Sequence, residues 1–237
     1  MTGRVREWAA LGAALCATSG AFAQEPAAER AETGRPILSL VVENDLFGGT
    51  DRNYSNGLRL AWTGRANDVH PWLKQIARTQ PGLGLVREGE EEGVELRQGV
   101  ALEHLLFTPD DITLENPPLD ARPYAGYLNV SAFAAAREAN SERSLTFTLG
   151  LVGPAAGGEF VQVNWHQLID GQEPRGWDTQ LHNELVFSVA GQNIERRVLL
   201  GDEAGLQLDL VGHAGLTLGT VRTDASAGAT VRLGFDL

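Results

Sequence analysis

Three stretches carry the residues best able to do chemistry. In "GPAAGGEFVQVNWHQLID", Phe160 to Ile169 can form about two and a half helical turns after a glycine-rich run. Gln162 and His166 then stand four residues apart on one helix face. Histidine is the favoured general base near neutral pH, so His166 is a candidate to activate water, and a Gln one turn before it strengthens that reading. The second stretch, "VENDLFGGTDRNYSNG", sets Asn44, Asp45 and Ser55 among glycines. Its glycines suit a hairpin loop, and the carboxylates of this acidic chain as a whole could hold a hard cation such as calcium. The third, "FTPDDI…DARPYAGYL", holds Arg122, which can meet a phosphate, beside Pro123, which presets a turn. Each has an ordinary explanation when taken alone: a lone histidine is usually structural, and acidic loops are usually solvated.

What brings the three together is the framework around them. Leu145, Phe147, Leu149 and Leu151 alternate with Ser144, Thr146, Thr148 and Gly150, a two-residue period that recurs to the end of the chain. It implies about eight strands, near 36–43, 55–64, 95–107, 124–137, 143–152, 180–195, 205–219 and 227–237. Several are long enough for a tilted strand to cross a bilayer, which favours an all-β, antiparallel up-and-down transmembrane barrel over a soluble sandwich. In such a barrel successive connections alternate between the two ends. Glu43 to Ser55, Thr108 to Tyr124, Gly153 to Thr179 and Thr220 to Ser226 therefore share one rim, and the chemistry is expected there. His182, Glu184, Asp209, His213, Arg232 and Asp236 are expected to face the interior. Between 65 and 97, Val69, Trp72, Leu73 and Ile76 have the spacing of a short surface helix.

Arg4 and Arg6, the apolar run Ala9 to Ala17 and "AFA" before Gln24 read as a secretory signal peptide over 1–23, followed by a linker over 24–35 and one barrel domain over 36–237. The single cysteine, Cys16, falls in that leader, so the remainder has neither disulfide nor thiol chemistry. With 19 basic and 31 acidic residues the net charge is −12, which repels nucleic acid.

"VENDLFGGTDRNYSNGLRLAW", "FTPDDI…DARPYAGYL" and "VGPAAGGEFVQ…WH…GWDTQLHNE", in this order, resemble the outer-membrane lipid A 3'-O-deacylase family from about Pro36 onward. The resemblance implies a monomeric, calcium-dependent hydrolase of the outer membrane, whose substrate is lipid A or lipopolysaccharide and whose site lies between the barrel wall and a loop helix. It implies His166 as general base, Asn44, Gln162 and Ser55 as catalytic partners, Asp45 and Glu173 at the metal, and Arg122 or Arg175 at substrate phosphate. Ser55 stands where the family usually has Thr, and the only lysine, Lys74, is not in the second rim loop where some members carry one. The family barrel resembles a twelve-stranded one, about four strands more than are legible here.

Two other readings stand beside it. A serine-type barrel esterase would pair His and Ser two residues apart, and none of the five histidines has that partner. A non-enzymatic pore or structural barrel, or an inactive short relative, would suit the polar interior equally well.

Overall fold

The computed structural model describes residues 35–44, 56–71, 93–201 and 205–235. Eight strands form one antiparallel sheet in sequential order: β1 (Ile37–Asn44), β2 (Asn56–Thr63), β3 (Glu95–Phe107), β4 (Ala125–Arg137), β5 (Ser141–Val152), β6 (Glu184–Leu200), β7 (Leu206–Gly219) and β8 (Asp224–Phe235). Among the described residues no pairing joins β1 to β8, so the strands make an open wall. One helix, α1 (Gly158–Leu168), interrupts the connection between β5 and β6.

The two-residue period sorts the wall into two faces, because directly paired residues of neighbouring strands point the same way. One register row runs Leu40–Leu60–Leu102–Val130–Leu149–Phe187, and all six side chains are exposed. Leu38, Trp62, Leu216, Leu218, Val231, Leu233 and Phe235 continue this apolar, solvent-accessible surface. Covering each such side chain with hydrocarbon would stabilise it by about 1–2 kcal/mol, so a bilayer, and not water, is the matching surroundings. No helix among the described residues is long and apolar enough to cross a membrane, and the strands are left to do so.

The opposite face carries the polar side chains. Asp209 is fully buried there: it accepts hydrogen bonds from Arg196 Nε at 2.6 Å and from Arg232 Nε at 2.9 Å, while Arg196 also donates to Gln207 Oε1 at 3.0 Å. Two guanidinium groups thus share one carboxylate across β6, β7 and β8. Asp209→Ala leaves both cations facing each other without it, and we expect it to lower urea-unfolding stability in detergent by about 3 kcal/mol, whereas Asp209→Asn, which still accepts, costs less. Glu184, His213 and Arg232 stand in the inward registers expected for them, and Asp236 lies outside the described residues.

His182 does not. β6 starts at Glu184, because Trp177–Thr179 forms a 3-10 turn and the Leu181 N–H is already spent on Tyr124 O at 2.9 Å. His182 is therefore part of the rim connection. At the opposite end, Val69 packs on Ala134 and Ala136, and the rest of the expected surface helix lies outside the described residues. Tyr124 and Tyr127 are buried and belong to the rim packing, while Trp62 is exposed on the apolar face.

Candidate active site

The connections 108–124, 153–183 and 220–223 emerge at one rim, as alternation requires. Above β4 and β5 the chain turns through Gly153, whose φ of 105° is a left-handed-side conformation, into a 3-10 turn at Pro154–Ala156, and α1 follows. This segment is tied to the wall from both sides. Ala155 N–H donates to Asn183 Oδ1 at 2.8 Å, and His104 Nε2–H donates to Ala156 O at 2.9 Å. His104 is the polar member of an otherwise aliphatic row, Val42–Leu58–His104–Leu128–Leu151–Leu185, so this contact lies on the apolar face. α1 is accordingly laid against the outside of the wall.

How close it lies is set by two glycines. A Cβ at Gly126 would come within 2.9 Å of Gly158 N, and one at Gly158 within 2.9 Å of Gly126 Cα and 2.7 Å of the Trp177 ring. Gly158 and Gln162 form the buried side of α1, one turn apart, with His166 a further turn along the same side. Phe160 and Leu168 point away from it and are exposed, and Trp165 on its flank is partly exposed.

Gln162 is 2% exposed, and its Oε1 accepts from Trp177 Nε1–H at 2.8 Å. Its Nε2 is buried and has no acceptor among the described residues. Trp177 in turn packs on Tyr124, ring centroids 4.9 Å apart, in a cluster with Leu106 and Ile112. Tyr124 OH donates to Ile112 O at 3.0 Å and Arg175 N–H to the same oxygen at 2.9 Å, so the second and third rim loops form one unit.

At its far end α1 closes with Asp170 in the left-handed region (φ 54°) and Gly171 N–H donating to His166 O at 2.8 Å, a Schellman-type turn. That turn folds the chain back so that Gln172 O lies 2.6 Å from His166 Nδ1. A carbonyl oxygen only accepts, so Nδ1 carries the proton and Nε2 keeps its lone pair. The histidine is half-buried and fixed in the tautomer a base requires.

Asn44 ends β1 in the row Asn44–Asn56–Leu106–Gly126, which is the row against which Gly158 and Trp177 pack. The register thus brings the end of β1 and the start of α1 to the same level of the wall. Asp45 and Ser55 lie outside the described residues. Glu173 is exposed and pairs with Arg175 at 3.2 Å. Arg122 is half-buried in the second loop, and that desolvation lowers its guanidinium from its ordinary value while Asp110 acts the other way. Nearby, Asp111 Oδ1 accepts from Thr113 Oγ1 at 2.6 Å and from Thr113 N at 2.9 Å, which holds this exposed carboxyl below its usual range. Among the described residues no three His, Asp, Glu or Cys side chains gather.

A family model described as outer membrane protein LpxR matches residues 10–237. The chain belongs to this family. It is an outer-membrane protein, and the exposed apolar face of its sheet is the face such a protein turns to lipid. The solved structure of LpxR from Salmonella typhimurium superposes with a TM-score of 0.61 at 18% sequence identity, covering 83% of this chain and 63% of that one. This likeness shows the barrel fold, and the chain spans less than two thirds of that relative's length. No curated protein matches the chain.

Sequence reasoning found Gln162 and His166, which the structure brings onto one face of α1. It missed Trp177 and the Gln172 carbonyl, which hold Gln162 and His166, and His104, which ties the segment before α1 to the wall. His104 had a signal: in "ALEHLLF" it takes an outward slot between Leu102 and Leu106, where the alternation calls for an apolar residue. A backbone carbonyl such as that of Gln172 leaves no trace in residue types.

Proposed function

We propose that this chain is a lipid A deacylase that hydrolyses the 3'-O-linked acyloxyacyl ester of lipid A at the outer rim of the barrel. The observation that carries the reading is His166, oriented through Nδ1 by Gln172 O and left with a basic Nε2 one helical turn from Gln162, whose Nε2 has no acceptor among the described residues. In the reaction His166 Nε2 takes a proton from water as the water oxygen attacks the ester carbonyl. Gln162 Nε2–H donates to the oxygen as it becomes negative. When the bond between the acyl carbon and the 3' oxygen breaks, the imidazolium returns its proton to that oxygen, which leaves as the 3' hydroxyl, and the acyl chain leaves as a carboxylic acid. Lying outside the wall, α1 meets a lipid that stays in the leaflet, with its glycolipid head at the rim. Arg122 supplies positive charge in the second loop for a substrate phosphate, with Asn44 and Ser55 as further polar partners from the first.

Asp45 and Glu173, which the family resemblance places at a calcium ion, would hold that cation, and bound there it would polarise the ester carbonyl. Lipid A from membranes that express the protein is expected to lose the mass of its 3' acyloxyacyl group, and in detergent this loss should stop in EDTA and resume on added calcium. An unchanged lipid A mass spectrum with the barrel inserted would refute the esterase; full activity in EDTA would remove calcium and leave the reaction to the residues named here.

A further inference from the structure

The indole of Trp177 is held at both ends. Its six-membered ring lies against Gly158, where an added Cβ would be 2.7 Å from Cη2, and its Nε1 lies 2.8 Å from the Gln162 amide one turn farther along α1. Its other faces meet Tyr124, Leu106 and Ile112. An indole N–H can only donate, so the amide atom facing it must be the oxygen. The amide cannot rotate by half a turn without opposing N–H to N–H. Nε2 is thereby turned away from the indole, buried, with no acceptor among the described residues. Leaving an amide N–H₂ without an acceptor is unfavourable enough that such groups are uncommon in folded proteins, and one of them beside a candidate base points to an acceptor supplied by a ligand.

We propose that Trp177 is a positioning residue: by accepting no alternative amide orientation it keeps Gln162 a donor, so that Nε2 presents its hydrogens to the carbonyl oxygen of an acyl ester. The inference rests on the esterase reading for its ligand and on the Gln162–Trp177 pair for its geometry. Without the indole N–H, the amide can present either its oxygen or its nitrogen to the substrate. The oxygen would repel the developing oxyanion. A ground-state carbonyl carries far less charge than the transition state, so the loss falls on kcat more than on KM.

The test uses the full chain in detergent micelles with purified lipid A. Trp177→Phe keeps an aromatic ring against Tyr124 and Gly158 and removes only the donor. Its kcat is expected to fall about 10- to 100-fold with KM changed by less than about threefold. In a Gln162→Met background, which has no amide to orient, the same substitution should cause no further loss. Equal losses in both backgrounds, or a wild-type kcat for Trp177→Phe, would overturn the proposal. A readout independent of activity is the hydrogen exchange of the Trp177 indole N–H in protein labelled with ¹⁵N-tryptophan. Gln162→Met should shift its resonance and accelerate its exchange; an unchanged resonance and rate would also overturn the proposal. If the wild-type chain hydrolyses no lipid A, the esterase reading fails on that assay, and the exchange measurement still decides the pairing. The same measurement serves if Trp177→Phe does not insert.

Discussion

His166→Ala is expected to lower the rate of lipid A 3'-deacylation by about 10²- to 10⁴-fold, the range that a positioned general base contributes. The barrel should remain, because nothing that holds α1 on the wall runs through the imidazole. Alanine favours a helix, the bond from Gly171 N–H goes to the His166 backbone oxygen, and the wall contacts are made by Gly158, Gln162 and the segment before α1. What is removed is the basic Nε2 and the Nδ1–H donated to Gln172 O. His166→Asn separates the two: its amide can still donate toward that carbonyl, yet it cannot take a proton at neutral pH. Both variants should be inactive by lipid A mass spectrometry while migrating as folded, heat-modifiable barrels. A His166→Ala protein that retains full activity would end the role of His166 as base.

The wall was legible because it has one rule. A period of two over segments this long leaves little choice of class, and alternation of connections by itself placed the unusual loops at one rim. Strand ends followed less closely where a side-chain or loop contact competes with the ladder. β6 begins at Glu184, and not near residue 180, since Leu181 bonds to Tyr124 and Trp177 is buried against Tyr124 and Leu106, neither of which a hydrophobic pattern records. Within the site, Gln162 and His166 were visible as an i, i+4 pair. Their supports were not, because they come from tertiary approach. Trp177 reaches Gln162 across fifteen residues of rim loop, and His104 reaches Ala156 across fifty-two.

Glycine 158 shows how narrowly that approach is set, and a single methyl group there is expected to reduce hydrolysis by about 100-fold without unfolding the barrel. Two effects oppose each other in Gly158→Ala. As the first residue of α1, alanine would favour the helix by up to about 1 kcal/mol. Its Cβ would, however, stand 2.9 Å from Gly126 Cα, 2.7 Å from Trp177 Cη2 and 3.0 Å from Leu106 Cδ2. The Leu106 methyl can turn aside, but Gly126 belongs to a strand paired with β3, and the indole is pinned by Gln162 and Tyr124. The flexible partner is α1, so the helix has to lift from the wall by a good part of an ångström. A displacement of about 1 Å in a positioning element can cost on the order of 10² in rate, and here it moves both the amide of Gln162 and the base of His166 relative to an ester anchored at the rim. Stability measured by urea unfolding should change by no more than about 1 kcal/mol, because the helix gain and the lost packing offset each other. Gly157→Ala is the informative neighbour: a Cβ there meets nothing within 4 Å, but its φ of +73° strains the turn before α1. It should therefore lower stability more than it lowers activity, the reverse of Gly158→Ala, and the two measured together test whether closeness of α1 to the wall, rather than formation of the helix, sets the rate.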